Sequence, residues 1–180
     1  GWSRAVELRA RDAEGHSQRV AELTIRLAER MGFPPNDLPS LRRGALLHDI
    51  GKIGIPDRIL WKPDALTEEE WQLMRQHPKM AEQILSPIEF LRSALDIPKF
   101  HHERWDGKGY PNGLSGSDIP LAARVFSVID VWDSMQAPRP FRDHPFSESE
   151  SIHYLHQESG RQFDPAAVSS FLQILHEPGT

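Results

Sequence analysis

The stretch Leu38-Pro39-Ser40-Leu41-Arg42-Arg43-Gly44-Ala45-Leu46-Leu47-His48-Asp49-Ile50-Gly51-Lys52 decides the fold. Its apolar residues recur three and four apart, the spacing of one buried helix face. The pattern carries to Ile50, and Gly51 then reads as the C′ residue that closes the helix. The same spacing governs the segments on either side. Val20, Leu23, Leu27 and Met31 mark a helix that ends near Gly32. Thr67 and Glu70 form a capping box that opens a helix through Trp71 and Met74. Pro78 sits at a first helical position and starts the segment through Ile84 and Leu85. Ser147 with Glu150 is a second capping box, for a helix ending near Gly160, and Asp164-Pro165 caps the last helix. No run alternates clearly as a strand would, and no repeat is visible. The expected fold is all-α: a single compact helical bundle of about eight helices over residues 1–180.

The breaks agree with that reading. Trp105 to Pro120 holds four glycines and two prolines and predicts an ordered, turn-rich loop. Pro138 to Pro145 is a proline-rich connection carrying Arg139 and Arg142. Both contain large aromatic residues, unlike flexible linkers.

A chain of 180 residues fits one ordinary domain. Its 38% hydrophobic and 26% charged residues are those of a soluble protein. The net charge of −5 argues against a non-specific nucleic-acid binder, so no DNA binding is expected. A local cluster of cations or metals can still hold a small phosphate ligand. With no cysteine, disulfides and thiolate metal sites are impossible. The most apolar stretch, Leu121 to Met135, is interrupted by Arg124, Asp130 and Asp133 and falls short of a membrane span. Nothing resembles a signal peptide, and a cytoplasmic protein is the expectation. The chain begins at Gly1, which suggests a domain excised from a larger signalling protein.

Five of the nine histidines lie in unusual settings. His48-Asp49 ends a helix, His101-His102-Glu103 is a doublet at the edge of the glycine-rich loop, and His16 and His77 lie in predicted helices. Asp130 interrupts the apolar stretch Val125 to Trp132. A carboxylate there is either an exposed position between two apolar stripes or a buried group that needs a cation. A lone histidine is usually a hydrogen-bonded core or surface residue. A doublet, a His-Asp pair and a buried carboxylate in one small domain point instead to metal. Imidazole binds one ion terminally, and a carboxylate can bridge two. His144, His153, His156 and His176 show no partner pattern and read as surface residues. The tryptophans read mostly as core or loop anchors.

The motif His48-Asp49-Ile50-Gly51-Lys52-Ile53-Gly54-Ile55-Pro56-Asp57, followed by His101-His102-Glu103-Arg104-Trp105-Asp106-Gly107-Lys108-Gly109-Tyr110-Pro111, resembles the HD-GYP family. The likeness continues through Leu114-Ser115-Gly116, Ile119-Pro120-Leu121-Ala122-Ala123-Arg124, Arg139-Pro140-Phe141-Arg142, Ser159-Gly160 and Phe163-Asp164-Pro165. It covers about Asp12 to Leu175. The resemblance implies a helical bundle of the HD-domain type carrying two or three divalent transition-metal ions, often iron or manganese. The ligands it implies are His16, His48, Asp49, His77, His101, His102 and Asp130. One ion would take His16, His48, Asp49 and Asp130, and the other Asp49, His77, His101 and His102. All seven keep their chemistry, which argues against a binding-only member. Members with a third ion tend to carry Glu where this chain has Asp12, so two ions are expected, with Asp12 the candidate ligand for a third. Phe141 and Ala137-Pro138 also depart from the usual pattern.

The substrate the resemblance implies is cyclic di-GMP, opened to pGpG and in some cases cut on to GMP. Two neighbouring ions would activate a water and neutralise charge at phosphorus, with Asp49 as their shared ligand. Lys52 is either an added catalytic and phosphate-binding cation or a solvated lysine favoured by the helix C-terminus. Arg139 and Arg142 are either clamps for the second phosphate or surface charge. Tyr110 either stacks on guanine or shapes its loop, and Gly107, Gly109 and Gly113 permit the loop's turns. Hydrolysis of another nucleotide, or non-catalytic binding of ligands or partner proteins, are the competing readings. Sensor or regulatory domains, docking in part through the Gly-Tyr-Pro loop, are the expected protein partners.

Overall fold

Helix formation follows the apolar periodicity over most of the chain. The computed structural model describes residues 1–10, 13–137 and 144–177. Its α-helices are α1 (Trp2–Ala10), α2 (His16–Arg30), α3 (Leu38–Leu46), α4 (Asp57–Leu60), α5 (Glu68–Met74), α6 (His77–Leu85), α7 (Asp96–Phe100), α8 (Leu121–Gln136), α9 (Glu148–Glu158) and α10 (Pro165–Leu175). Three 3-10 segments, Ile50–Gly54, Glu89–Ala94 and Gly116–Asp118, join them. Among the described residues there is no strand, only an isolated bridge between Ser159 and Phe163. The count exceeds the expected eight because α4 and α7 are single turns, too short to show a 3.6-residue period.

The caps form as read. Thr67 accepts from the backbone N–H of Glu70, and the Glu70 carboxylate accepts from Thr67, opening α5. Ser147 and Glu150 do the same for α9, and Asp164 accepts from Ala166 at 2.8 Å to open α10. Such a cap stabilises a helix by about 1 kcal/mol.

One boundary differs from expectation. Helix α3 closes at Leu46, and His48 and Asp49 follow as a turn that leads into the 3-10 segment Ile50–Gly54. Gly51 is therefore not the residue that closes the helix. A Cβ on it would stand 1.9 Å from the backbone oxygen of His77 and 2.7 Å from the nitrogen of Ala81. Its missing side chain lets α6 pack directly on the His48-Asp49 turn.

Helix α8 forms the centre of the main core. Val125, Phe126, Val128 and Ile129 are all fully buried, packed with Val20 and Leu27 of α2 and Phe171 of α10. The Trp132 ring meets Phe171 edge-on, 5.3 Å between centroids. Truncating Phe126 to Ala would cost about 3–5 kcal/mol from lost burial and the cavity left behind. A smaller core of Val6, Ile50, Ala81, Leu85 and Leu91 anchors the far side of the His48-Asp49 turn.

The Trp105–Pro120 region is an ordered loop, as expected, with one 3-10 turn. Buried Glu103 organises it: one carboxylate oxygen accepts from the N–H of Asn112 at 2.7 Å and the other from Leu114 at 3.0 Å. Arg124 of α8 ties the loop region to α10 through Asp164, at 2.7 Å. None of the described helices is long and apolar enough to cross a membrane.

Candidate metal centre

The sequence scatters the predicted ligands over more than a hundred residues, and the fold gathers them at one cleft. His16 is the first residue of α2, His48 and Asp49 lie on the turn after α3, and His77 is the first residue of α6. His101 and His102 follow α7, and Asp130 projects from α8. Phe126 underlies them, its ring 4.9 Å from that of His48 and 5.9 Å from that of His101. The apolar core is thus the floor of the site.

The ligand atoms fall into two groups. Asp49, His77, His101 and His102 place their ligand atoms within 4.8 Å of one another, and so do His16, His48 and Asp130. Asp49 stands between the groups. Its Oδ2 lies 3.1 Å from His48 Nε2, while Oδ1 lies 3.4 Å from His77 Nε2 and 3.8 Å from His101 Nε2. Asp130 Oδ1 lies 3.3 Å from His16 Nε2.

Hydrogen bonds behind the rings aim the inner nitrogens. His48, His77 and His101 donate Nδ1–H to the backbone oxygens of Ala45, Met74 and Ile97, at 2.8, 2.9 and 3.0 Å. His16 donates Nδ1–H to Asp133 at 2.7 Å. That leaves each Nε2 facing the cleft, the arrangement imidazole ligands need. His48 Nε2 is buried and makes no hydrogen bond. A buried imidazole nitrogen that makes no hydrogen bond and stands 3.1 Å from a carboxylate oxygen, in a set of imidazoles and carboxylates, fits a divalent transition ion.

Protonation differs between the groups. Burial, then the charges of His48 and His77, push His101 down to about 3. Burial also lowers His77 and, with His101 beside it, holds His102 well below the usual range. These rings are neutral and ready to ligate. At His16 burial opposes the charged form, but Asp130 and Asp133 outweigh it and raise the ring to about 10. At Asp49 burial is likewise outweighed, chiefly by Lys52 and then His48, so its carboxyl stays well below the usual range.

The cleft holds about 550 Å³ and is lined by Lys52, Lys62, Trp61, Trp71 and Tyr110 besides the candidate ligands other than His48, which is buried behind it. The Lys52 ammonium is 2.6 Å from Asp49 Oδ2. Tyr110 stacks on His102, with centroids 4.6 Å apart and planes 22° apart, and the Arg75 guanidinium lies 5.9 Å from its ring. Asp12, Arg139 and Arg142 lie outside the described residues, as do Pro138 and Phe141. His144, His153, His156 and His176 are exposed, as expected.

Sequence reasoning missed three contributors. Asp133 lies one helical turn beyond Asp130, and its interruption of the apolar run was the available signal. Trp61 and Trp71, read as core or loop anchors, are 39% and 41% exposed and wall the cleft, Trp61 also tying its turn to Arg9 through Nε1. Nothing local distinguishes them from packing tryptophans.

A family model described as "HD domain" matches residues 2–167. The 3'3'-cGAMP-specific phosphodiesterase 2 of Vibrio cholerae is 39% identical over 171 residues, which is 94% of this chain and 33% of that protein. A cyclic di-GMP phosphodiesterase of Thermotoga maritima is 41% identical over 175 residues, 95% of this chain and 47% of that protein. The chain thus spans between a third and a half of these relatives. Among solved structures, an HDG"Y"P protein from Bdellovibrio bacteriovorus superposes with a TM-score of 0.71, over 90% of this chain and 52% of that one. At 24% identity that likeness is one of fold.

Proposed function

The chain belongs to the HD domain family, with the HD-GYP proteins, and from that premise we propose that it is a metal-dependent phosphodiesterase opening cyclic di-GMP to pGpG. The observation that carries this reading is the placement of Asp49 between two groups of candidate ligands in one cleft. His16, His48 and Asp130 would hold one ion, His77, His101 and His102 the other, with Asp49 shared. Iron or manganese suits these nitrogen and oxygen donors. Bound divalent ions supply Lewis acidity, lowering the pKa of a water and neutralising charge at phosphorus.

The remaining roles belong to side chains. Two carboxylates against two divalent ions leave a net positive site, which an anionic diester balances. Lys52 steadies Asp49 and adds a cation on the wall where phosphate would lie. Arg139 and Arg142 would clamp the second phosphate through their planar donor forks. Trp61 and Trp71 offer flat apolar surface for a nucleobase.

A second cyclic dinucleotide, 3'3'-cGAMP, is favoured by the name of the Vibrio cholerae relative and differs from cyclic di-GMP by one base. Further cleavage to GMP, regulatory or sensor domains as partners, docking through the Gly-Tyr-Pro loop and a cytoplasmic location complete the reading. The test is to reconstitute the protein with Fe(II) or Mn(II) and incubate it with cyclic di-GMP, 3'3'-cGAMP and a linear dinucleotide, then chromatograph the products. Protein that carries two ions and opens neither ring would overturn the proposal.

A further inference from the structure

His16 is oriented differently from the other candidate ligands. His48, His77 and His101 each lean on a backbone oxygen three or four residues back in their own segment. His16 opens α2, directly after Gly15, so no preceding helical turn supplies such an acceptor. The acceptor comes instead from α8, where Asp133 Oδ2 takes the Nδ1–H of His16 at 2.7 Å. Asp133 is itself gripped by Arg19 of α2 at both oxygens, Nε to Oδ1 at 2.7 Å and Nη2 to Oδ2 at 2.9 Å. The His16 and Asp133 side chains are 6% and 9% exposed, so the contact is shielded from water. Asp130 and Asp133, three residues apart, share a face of α8. One carboxylate faces the inner nitrogen of His16 and the other holds its outer nitrogen.

We infer that Asp133, braced by Arg19, is a positioning residue that sets the metal affinity of the His16/His48/Asp130 group separately from that of the Asp49/His77/His101/His102 group. A carboxylate behind a ligating imidazole fixes its orientation and strengthens it as a donor, and losing such a partner typically costs ten- to a hundredfold in affinity. The second group contains no ligand held this way, so the effect is confined to one ion. The inference rests on the two-ion reading above.

The test is a titration of metal-free protein with Mn(II), following free ion by electron paramagnetic resonance, with melting temperature measured alongside. Wild type is expected to take two ions. Asp133→Asn keeps the shape and removes the charge. It should weaken one ion by about ten- to a hundredfold and leave the other within about twofold. Arg19→Gln should weaken the same ion by a smaller factor. The Arg19 side chain is 45% exposed, so this variant carries the test should the first fail to fold. Equal loss at both ions in step with a fallen melting temperature, or no loss at either, overturns the inference. If wild type takes a single ion, the two-ion reading fails, and an unchanged affinity in Asp133→Asn then sinks the brace as well.

Discussion

Gly51 lies against the backbone of His77 so closely that a Cβ on it would meet the His77 oxygen at 1.9 Å. That contact brings the first turn of α6 onto the His48-Asp49 turn and places His77 Nε2 3.4 Å from Asp49. Gly51→Ala should therefore displace α6 and cost about 3 kcal/mol or more, the upper range for overpacking against rigid backbone. Denaturant unfolding reads the stability and elemental analysis the accompanying loss of metal. A variant as stable and metal-loaded as wild type would show that α6 can shift freely.

Metal chemistry and phosphate binding should separate by mutation. Asp49→Asn replaces the shared carboxylate with a neutral amide, so hydrolysis should vanish and metal content fall. Arg139→Ala leaves the proposed ligand shell untouched and should weaken substrate binding by about 1–3 kcal/mol, the range for a charged hydrogen bond. Metal content, substrate affinity and rate for both variants check the division. Arg139→Ala stripping the metals would reverse it.

Tyr110 has its ring committed to His102, in a near-parallel stack. Tyr110→Phe keeps the ring and should leave metal content and stability near wild type. Tyr110→Ala removes the stack and should cost about 0.5–1.5 kcal/mol beyond the lost burial. A kinetic split checks this: a rise in KM alone for Tyr110→Phe would instead mean that the hydroxyl contacts substrate.

The third ion turns on Asp12. If two ions suffice, Asp12→Ala should keep both the metal stoichiometry and most of the activity, whereas Asp12→Glu should raise occupancy toward three. Elemental analysis of the three proteins settles the count, and three ions in wild type would contradict the expectation.

The metal-free protein should be most stable near neutral pH. His16 is raised from 6.5 to about 10, so its contribution is full below 6.5 and is lost as pH climbs toward 10. His101 is lowered from 6.5 to about 3, so the unfolded chain binds its proton first and stability falls as pH drops from 6.5. Melting curves across this range should show both flanks, with about 2–4 °C for each kcal/mol lost. His16→Gln should reduce the alkaline flank, to which His48, also raised by Asp49, contributes the rest, while leaving the acid one. An unchanged alkaline flank would exclude the His16 pairing as its source.

The helices were legible because periodicity and caps are local. Val20 to Met31, the Thr67 and Ser147 capping boxes and Asp164-Pro165 each contain, within a few residues, the atoms that close the element. The single turns α4 and α7 were not legible, being shorter than one repeat of the pattern. The candidate ligands could be picked out because imidazole beside carboxylate, an imidazole doublet and a charge inside an apolar run are costly unless something compensates them.

What the sequence determined by itself is the helical class, most helix starts and the kinds of donor atom available. Tertiary packing decided which donors meet. His16 and Asp133 are 117 residues apart, and only the seating of α2 on α8 joins them. Gly51 reads as a helix stop until α6 is laid across it. Local pattern fixes backbone conformation over one or two turns, whereas the ångström-scale approach of distant atoms is set by how close-packed side chains let one helix rest on another.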